Sequence, residues 1–432
     1  MKKLSIILIL IIVGSCNIGS KGVKLISAFD EKGNEINTAK PSQQFQSSDL
    51  DTITPYKKKT KVALFFPMTG KYKSLGQSLF NSAVLSLFEN DINENLELIL
   101  IDSKESPLEA KEQFKKIIDQ DIKIVIGPVF SSQAEVIADE AIKHEIVVIS
   151  LSNNRKLLDN IDEFGGVFLS GMMPEAQIDK IVSYALSRGK NSFAVIAPNN
   201  KYGIAVSSLY KKLVKDRNGT FVTSELYSPN GKGIENAVYR AINAFSVPSS
   251  MAEGGGNKLE EDFVVSKEDK TYASIILIPE AGKNLSKIVR LLDKENIDER
   301  EYQIIGTNQW DDLSTLSDPY LINSWFVAPD PDKFKDFERF YYQSYNKFPP
   351  RISSIVYDSV LSIIKTVQKS RKINPQVKDF VEYTDKYNGF MGVDGLFRYI
   401  GNGAVQRNLA VLKVGKGKFE MIEKPTKDFL LY

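Results

Sequence analysis

One cysteine, Cys16, and one histidine, His144, are all that this chain of 432 residues provides of either type. A single cysteine excludes an internal disulfide, and so few thiols and imidazoles exclude a Cys/His metal site. Any hydrolase built on a serine or cysteine with histidine would have to use His144. That residue stands where a predicted helix ends before a strand, a surface position near a helix C-terminus. Charge of one sign is also missing in excess: 56 Lys and Arg face 54 Asp and Glu, and the lysines are spread along the chain. Near balance without a basic block gives no footprint for nucleic acid. There is no G-x-S-x-G elbow and no phosphate loop. The S-x-x-K spacings at Ser187–Lys190, Ser208–Lys211 and Ser362–Lys365 lack partner motifs and fall in predicted helices. The sequence therefore offers no catalytic residue, no metal site and no cofactor site. Asp311-Asp312 and Glu260-Glu261-Asp262 read as solvated loop charges.

What the chain does have is a regular alternation of strand and helix, beginning at residues 61–88. Val62 to Phe66 is an unbroken apolar run, which suits a strand buried on both faces of a parallel sheet. Pro67 stops it. Leu79, Phe80, Ala83, Val84, Leu87 and Phe88 then recur at helical spacing and predict one stripe packed on that sheet. The same rhythm predicts buried strands at 96–101, 122–126 and 146–149. Helices open at Pro107 and near Ser131 or Ser132 as N-caps, the latter turning Ala134, Ile137, Ala138, Ala141 and Ile142 inward. A second series starts with a helix at Pro174 and continues through strands at 193–197, 220–227, 273–278 and 302–305. Two aromatic or aliphatic stripes, Phe334 to Tyr345 and Val356 to Val367, predict core-facing helices. A strand at 396–400 and a hairpin of 409–414 with 419–422 follow. The glycine-rich stretch within 246–271 reads as a surface excursion. The fold class is α/β, with two doubly wound parallel-sheet lobes joined by a hinge.

The N-terminus carries a different signal. Lys2 and Lys3 precede the apolar run Leu4 to Val13, about half the length a membrane-spanning helix needs. Residues 1–15 thus read as a signal peptide. Val13-Gly14-Ser15-Cys16 resembles the lipobox of bacterial lipoproteins, which implies a lipid on Cys16 and a membrane attachment. Acyl chains there would add about 0.8 kcal/mol per buried methylene, a lasting anchor. Asn17 in place of aspartate implies the outer membrane. Residues 16–60 are polar and aperiodic and read as a lipid-anchored flexible tether, with a short strand near Val23 to Phe29.

After each strand of the first lobe comes a turn of small polar residues: Met68-Thr69-Gly70, Asp102-Ser103, Gly127 to Ser131, and Ser150 to Asn154. The second series has matching turns at Pro198 to Gly203, Tyr227-Ser228, Pro279 to Gly282 and Gly306 to Trp310. All lie at carboxyl ends of parallel strands, where crevices form and helix N-termini present N–H groups. The candidate cleft residues are Thr69, Gly70, Ser131, Ser150, Ser152, Asn153, Tyr202, Glu280 and Asn308.

Pro67-Met68-Thr69-Gly70 with Leu75-Gly76, Ile126-Gly127-Pro128 with Ser131, Tyr202-Gly203 and the Phe390 to Gly395 turn resemble the type I periplasmic solute-binding proteins over residues 61–422. That resemblance implies lobes that mix early and late chain: 61–170 with 307–390, and 171–306 with 391–432. It further implies that a ligand carboxylate meets Ser131 and Ser150 to Ser152, and that Tyr202 and an acid hold an ammonium. Asn308 stands where the acid is expected, a change worth roughly 1.5 to 3 kcal/mol to an ammonium. Within the group, ALFFPMTGKYKSLGQSLFNSAVLSLFE looks most like the penicillin-binding-protein activator lipoproteins. Those activators carry a long helical-repeat domain where this chain has its tether, which implies a shorter architecture. The resemblance implies a non-enzymatic protein whose partner is a penicillin-binding protein, a peptidoglycan synthase. The alternative is a receptor that delivers an amino acid or related small molecule to an ABC permease.

Overall fold

The computed structural model describes residues 58–159, 165–244, 274–294 and 302–429, together with β1 (Ala28–Phe29) and β2 (Glu35–Ile36). β1 and β2 form an antiparallel pair within the unit 1–56 and overlap the short strand expected there. The signal segment, Cys16 and the 246–271 excursion lie outside the described residues. Everything below concerns the unit 57–432.

β3 (Thr60–Phe66) is the apolar run, and Val62 through Phe66 are fully buried in it. It sits second in a five-stranded parallel sheet of order β4-β3-β5-β6-β7. The others are β4 (Leu96–Asp102), β5 (Ile124–Ile126), β6 (Val147–Ser150) and β7 (Val167–Leu169). β4 is the edge, with Leu100 exposed, and so is not the two-sided buried strand its composition suggested. β7 was not foreseen, because three apolar residues carry no periodic signal.

α1 (Lys73–Asn90), α2 (Pro107–Asp119) and α3 (Ser131–Lys143) cross over between these strands. A capping box fixes the start of α2, where the Ser106 hydroxyl accepts from Glu109 N–H and the Glu109 carboxylate accepts from Ser106 N–H. α1 buries Leu79 and Ala83, and it also turns Ser82 and Ser86 inward. Their hydroxyls donate to Ser353 O (2.6 Å) and Tyr357 O (2.8 Å) of α10 (Ser353–Ser370). This rotation leaves Phe88 82% exposed, on the side of α1 away from its packed face, although its spacing placed it inward. Ile142 likewise falls off the buried face of α3, which is centred on Gln133, Ala134, Ile137 and Ala141.

The second sheet has the order β17-β16-β12-β11-β10-β8-β9. Its parallel members are β8 (Ser192–Pro198), β9 (Thr220–Tyr227), β10 (Ser274–Leu277), β11 (Tyr302–Gly306) and β12 (Trp325–Ala328). β16 (Ala410–Val414) and β17 (Phe419–Glu423) complete one side antiparallel. α4 (Pro174–Ser187), α5 (Lys201–Asp216), α6 (Ile234–Ala244) and α7 (Gly282–Lys294) belong to this lobe, as does the single turn α8 (Leu313–Leu316). α9 (Pro331–Tyr345), α10, α11 (Val377–Tyr387), β13 (Phe390–Gly392), β14 (Gly395–Tyr399) and β15 (Val405–Arg407) belong to the first lobe.

The lobe divisions expected at 307 and 391 both fall too early. β12 pairs with β11 and β16, so 307–328 lies in the second lobe. Phe390, Phe397, Tyr399 and Val405 share one core with Val62, Ile126 and Phe168, and Ala404 bridges Leu169, so β13–β15 lie in the first. The chain crosses between lobes at 170–173, 329–330 and 408–409, and after β17 its end returns to the first lobe, where Asp428 and Phe429 meet Asn388. Among the described residues no helix is long and apolar enough to cross a membrane.

Candidate interlobe ligand site

The carboxyl ends of β3, β5 and β6 in one lobe, and of β8, β10 and β11 in the other, carry the residues singled out from the sequence. Gly76 lets α1 close onto the first of these turns, since a Cβ there would collide with the Pro67 carbonyl. Thr69 donates its hydroxyl to Asp102 Oδ2 (2.8 Å), and the N–H groups of Met68 and Lys104 donate to Oδ1 at 2.9 Å each. Lys104 Nζ completes the cluster 2.9 Å from Oδ2. Burial pushes the Asp102 carboxyl up, but the Lys104 ammonium and these donors outweigh it and hold it at about 2. Thr69 therefore braces the turn. Gly70, next to it, has a positive φ of 71° suited to glycine.

Because its folded pKa is depressed, Asp102 contributes stability above its unfolded value near 4, and that contribution is lost as pH falls from about 4 toward 2. Urea midpoints of Asp102→Asn should fall less steeply than those of the parent across this window.

Ser131 and Ser152 bring their hydroxyl oxygens to 2.7 Å. Ser131 is the first residue of α3, and the N-cap position belongs to Phe130, so neither Ser131 nor Ser132 caps the helix as expected. Ser150 is buried and donates to Pro128 O at 3.2 Å, which fixes the loop. Asn153 Nδ2 donates to Met172 O in the first crossover at 3.5 Å. Tyr72 and Phe130, not among the cleft residues expected, pack at this corner with ring centroids 4.6 Å apart and planes tilted by 50°.

In the second lobe Tyr202 donates to Thr307 Oγ1 at 3.3 Å, and burial pushes its phenol up. Glu280 accepts from Tyr227 (2.7 Å) and Asn284 (3.3 Å) on one oxygen and from Ala281 N–H (3.0 Å) on the other. Burial, then the Glu280 carboxylate, drives the Tyr227 phenol far up. Asn308 uses its backbone N–H to reach Gln177 Oε1 at 2.7 Å. Glu280, in the turn after β10, is thus the acid of this edge. The hydrogen bonds of Ser131, Ser152, Tyr202 and Glu280 all stay within their own lobe. His144 caps the far end of α3 beside Glu140.

One charged contact does join the lobes. Asp311, in the turn after β11, pairs with Arg351 Nε at 2.7 Å, and Arg351 Nη1 reaches Asp394 at 2.7 Å. Asp311 is mostly buried, so it is not the solvated loop charge expected from its sequence context; its partner lies 40 residues away and no local pattern reveals it. Burial raises its carboxyl, and Arg351 opposes that. Among the described residues no group of three or more His, Cys, Asp or Glu could hold a metal ion.

Two lobes of this topology, with polar turns at the carboxyl ends of their parallel strands, define a bilobal periplasmic-binding fold. The profile of the periplasmic binding proteins matches residues 59–418, and the chain belongs to that family. It is 25% identical over 289 residues to the uncharacterized protein RP748 of Rickettsia prowazekii, covering 63% of this chain and 69% of that one. It is 24% identical over 156 residues to the penicillin-binding protein activator LpoA of Vibrio cholerae, which is 36% of this chain and only 25% of LpoA. Among solved structures, a branched-chain amino acid ABC transporter periplasmic ligand-binding protein of Burkholderia xenovorans superposes with a TM-score of 0.67 at 13% identity, covering 84% of this chain and 94% of that one. An ABC transporter substrate-binding protein of Desulfitobacterium hafniense in complex with Leu gives 0.62 at 17% identity, covering 84% and 100%. The solved structures share the fold.

Proposed function

We propose that this protein is a non-enzymatic, lipid-anchored periplasmic regulator that binds a penicillin-binding protein and thereby adjusts peptidoglycan synthesis. The observation that carries this reading is the self-sufficiency of the cleft side chains. Ser131 bonds Ser152, Tyr202 bonds Thr307, and Glu280 is taken by Tyr227, Asn284 and Ala281, so these side chains are satisfied within their own lobes. A protein whose task is docking needs the bilobal shape rather than open ligand contacts. The likeness to LpoA supports the partner class, and the Val13 to Cys16 motif supports the anchor. Lipid on Cys16 and residence at the outer membrane are part of the proposal. Its test mixes a Cys16→Ser chain with a bifunctional penicillin-binding protein. Capture of the synthase with a changed rate of glycan polymerisation is expected. The absence of both capture and a rate change would reject the reading.

A second reading, a receptor for an amino acid or related solute that serves an ABC permease, is favoured by one observation. Thr69, Ser131, Ser152 and Asn153 of one lobe and Tyr202, Glu280 and Asn308 of the other all lie after the carboxyl ends of parallel strands, the place where such solutes bind. Opening the Tyr227–Glu280 hydrogen bond would release the acid for an ammonium. At a hundredfold over its dissociation constant a bound solute adds about 2.7 kcal/mol to stability. A screen of amino acids by thermal unfolding should then show a clear upshift for at least one, and Glu280→Gln should abolish it.

A further inference from the structure

At the opposite end of β3 from the candidate cleft, about 20 Å away along the strand, the first lobe carries a depression of ≈ 390 Å³. Its floor is apolar, from Val367 and Ile373, and its charged lining is entirely cationic: Lys58, Arg371 and Lys372. The carboxylates nearby are already engaged. Asp91 accepts from Asn95 Nδ2 (2.7 Å) and Leu96 N–H (2.8 Å), Glu94 pairs with Lys59 at 2.9 Å, and Asp379 pairs with Lys372 at 2.6 Å. Lys58, Gln368 and Arg371, by contrast, make no side-chain hydrogen bond or ion pair among the described residues. Two unspent cations and an amide donor thus share one concavity with no carboxylate in its lining.

The backbone at Arg371 decides which substitution tests the site cleanly. Three helices of this lobe end on a left-handed residue: α9 on Asn346, α11 on Asn388 and α10 on Arg371, at φ 57°. Glycine and asparagine enter that conformation readily, and a long side chain does so at a penalty. Glu94, Lys104 and Glu145 of the same lobe also adopt it, so the conformation itself is not special to Arg371; what matters is that this residue lines the depression. Thr60 ties the floor to the sheet, its hydroxyl donating to Ile373 O at 2.5 Å, so the wall is fixed by β3.

We propose that this depression is a binding site for a phosphate group carried on a small organic moiety. The guanidinium fork of Arg371 and the ammonium group of Lys58 balance the charge of a doubly charged tetrahedral anion, and Gln368 adds an amide donor. The volume lies within the range of small-molecule sites and leaves room over Val367 and Ile373 for what the phosphate is attached to. The site is independent of what fills the cleft.

The test titrates the full chain with glycerol 3-phosphate by calorimetry, and in parallel with vesicles of phosphatidylglycerol in phosphatidylcholine. Arg371→Gly is the decisive variant, because glycine suits the left-handed position and the variant should unfold at or above the parent's midpoint. Its affinity should nevertheless fall roughly tenfold or more, and Lys58→Ala should lower it as well. Binding of glycerol 3-phosphate that Arg371→Gly weakens supports a soluble phosphate ester. Vesicle binding that is weakened likewise, without binding of the soluble ester, supports a lipid headgroup as the source of the same chemistry. No binding in either arm, equal binding by succinate, or binding unchanged in Arg371→Gly overturns the proposal.

Discussion

Replacing Arg407 by leucine is expected to lower the unfolding free energy by about 3–5 kcal/mol, because it strands a carboxylate in the core of the first lobe. Arg407 and Asp358 are both essentially buried, with Nη1 2.9 Å from Oδ2. Asp358 accepts further from Val393 N–H (2.7 Å) and Asp394 N–H (3.3 Å), so it holds β13, the turn and β15 onto α10. Gly392 completes the fit, since a Cβ there would collide with the Asp358 carboxylate. The guanidinium also covers the Phe397 ring, 4.8 Å from its centroid, and that packing is lost together with the charge. Urea unfolding should show a lower midpoint with an unchanged slope. Adding Asp358→Asn should recover part of the loss, because the amide oxygen still accepts from Val393 without a charge.

The pH dependence separates a stranded charge from lost packing. Burial, against the pull of Arg407, already raises the Asp358 carboxyl to about 6. Removing the arginine raises it further. A carboxyl whose folded pKa lies above its unfolded value of about 4 binds its proton more tightly in the native state. The stability of Arg407→Leu should therefore rise relative to the parent as pH falls from about 8 to 5. A deficit that is constant over that range would assign the effect to packing alone.

What the sequence discloses, and what it hides, follows from the range of the interactions involved. β3 is legible because five consecutive apolar residues can be satisfied only by burial on both faces. The turns carrying Thr69, Ser131, Ser152 and Glu280 are legible as places, since strand ends and helix starts are locally encoded. What those side chains do there is not. Asp102 reads as a turn residue, yet it organises Thr69, Met68 and Lys104 across a span of sequence that no period connects. The serines of α1 look like breaks in an apolar stripe until α10 arrives from some 270 positions later to accept their hydroxyls. The lobe boundaries were misplaced for a related reason. Four residues of β12 and three of β15 carry no periodicity, and their allegiance is set by pairing partners from distant parts of the chain.

Asp311→Ala is expected to lower the unfolding free energy by about 2–4 kcal/mol and to loosen the lobes against each other. Arg351 belongs to the first lobe and holds Asp394 and Ser354 there, both at 2.7 Å, while its Nε crosses to Asp311 of the second. The Phe334 ring, 4.2 Å from the guanidinium, shields the pair from water and so strengthens it. Removing Asp311 leaves Arg351 still paired with Asp394, so the effect should be smaller than for Arg407→Leu. The chain passes between lobes at 170–173, 329–330 and 408–409, and its end returns from β17 to Asn388 and Arg398 of the first lobe, but this ion pair is the charged tie between the lobes among the described residues. Its loss should broaden the distribution of lobe separations seen by small-angle scattering, while Asp311→Glu should restore part of both stability and compactness. If scattering curves of Asp311→Ala and the parent superimpose although stability has dropped, the pair stabilises the fold without governing the hinge. If both change together, any partner or solute that prefers one lobe angle gains or loses affinity through Asp311, which makes the residue a handle on binding through the lobe angle.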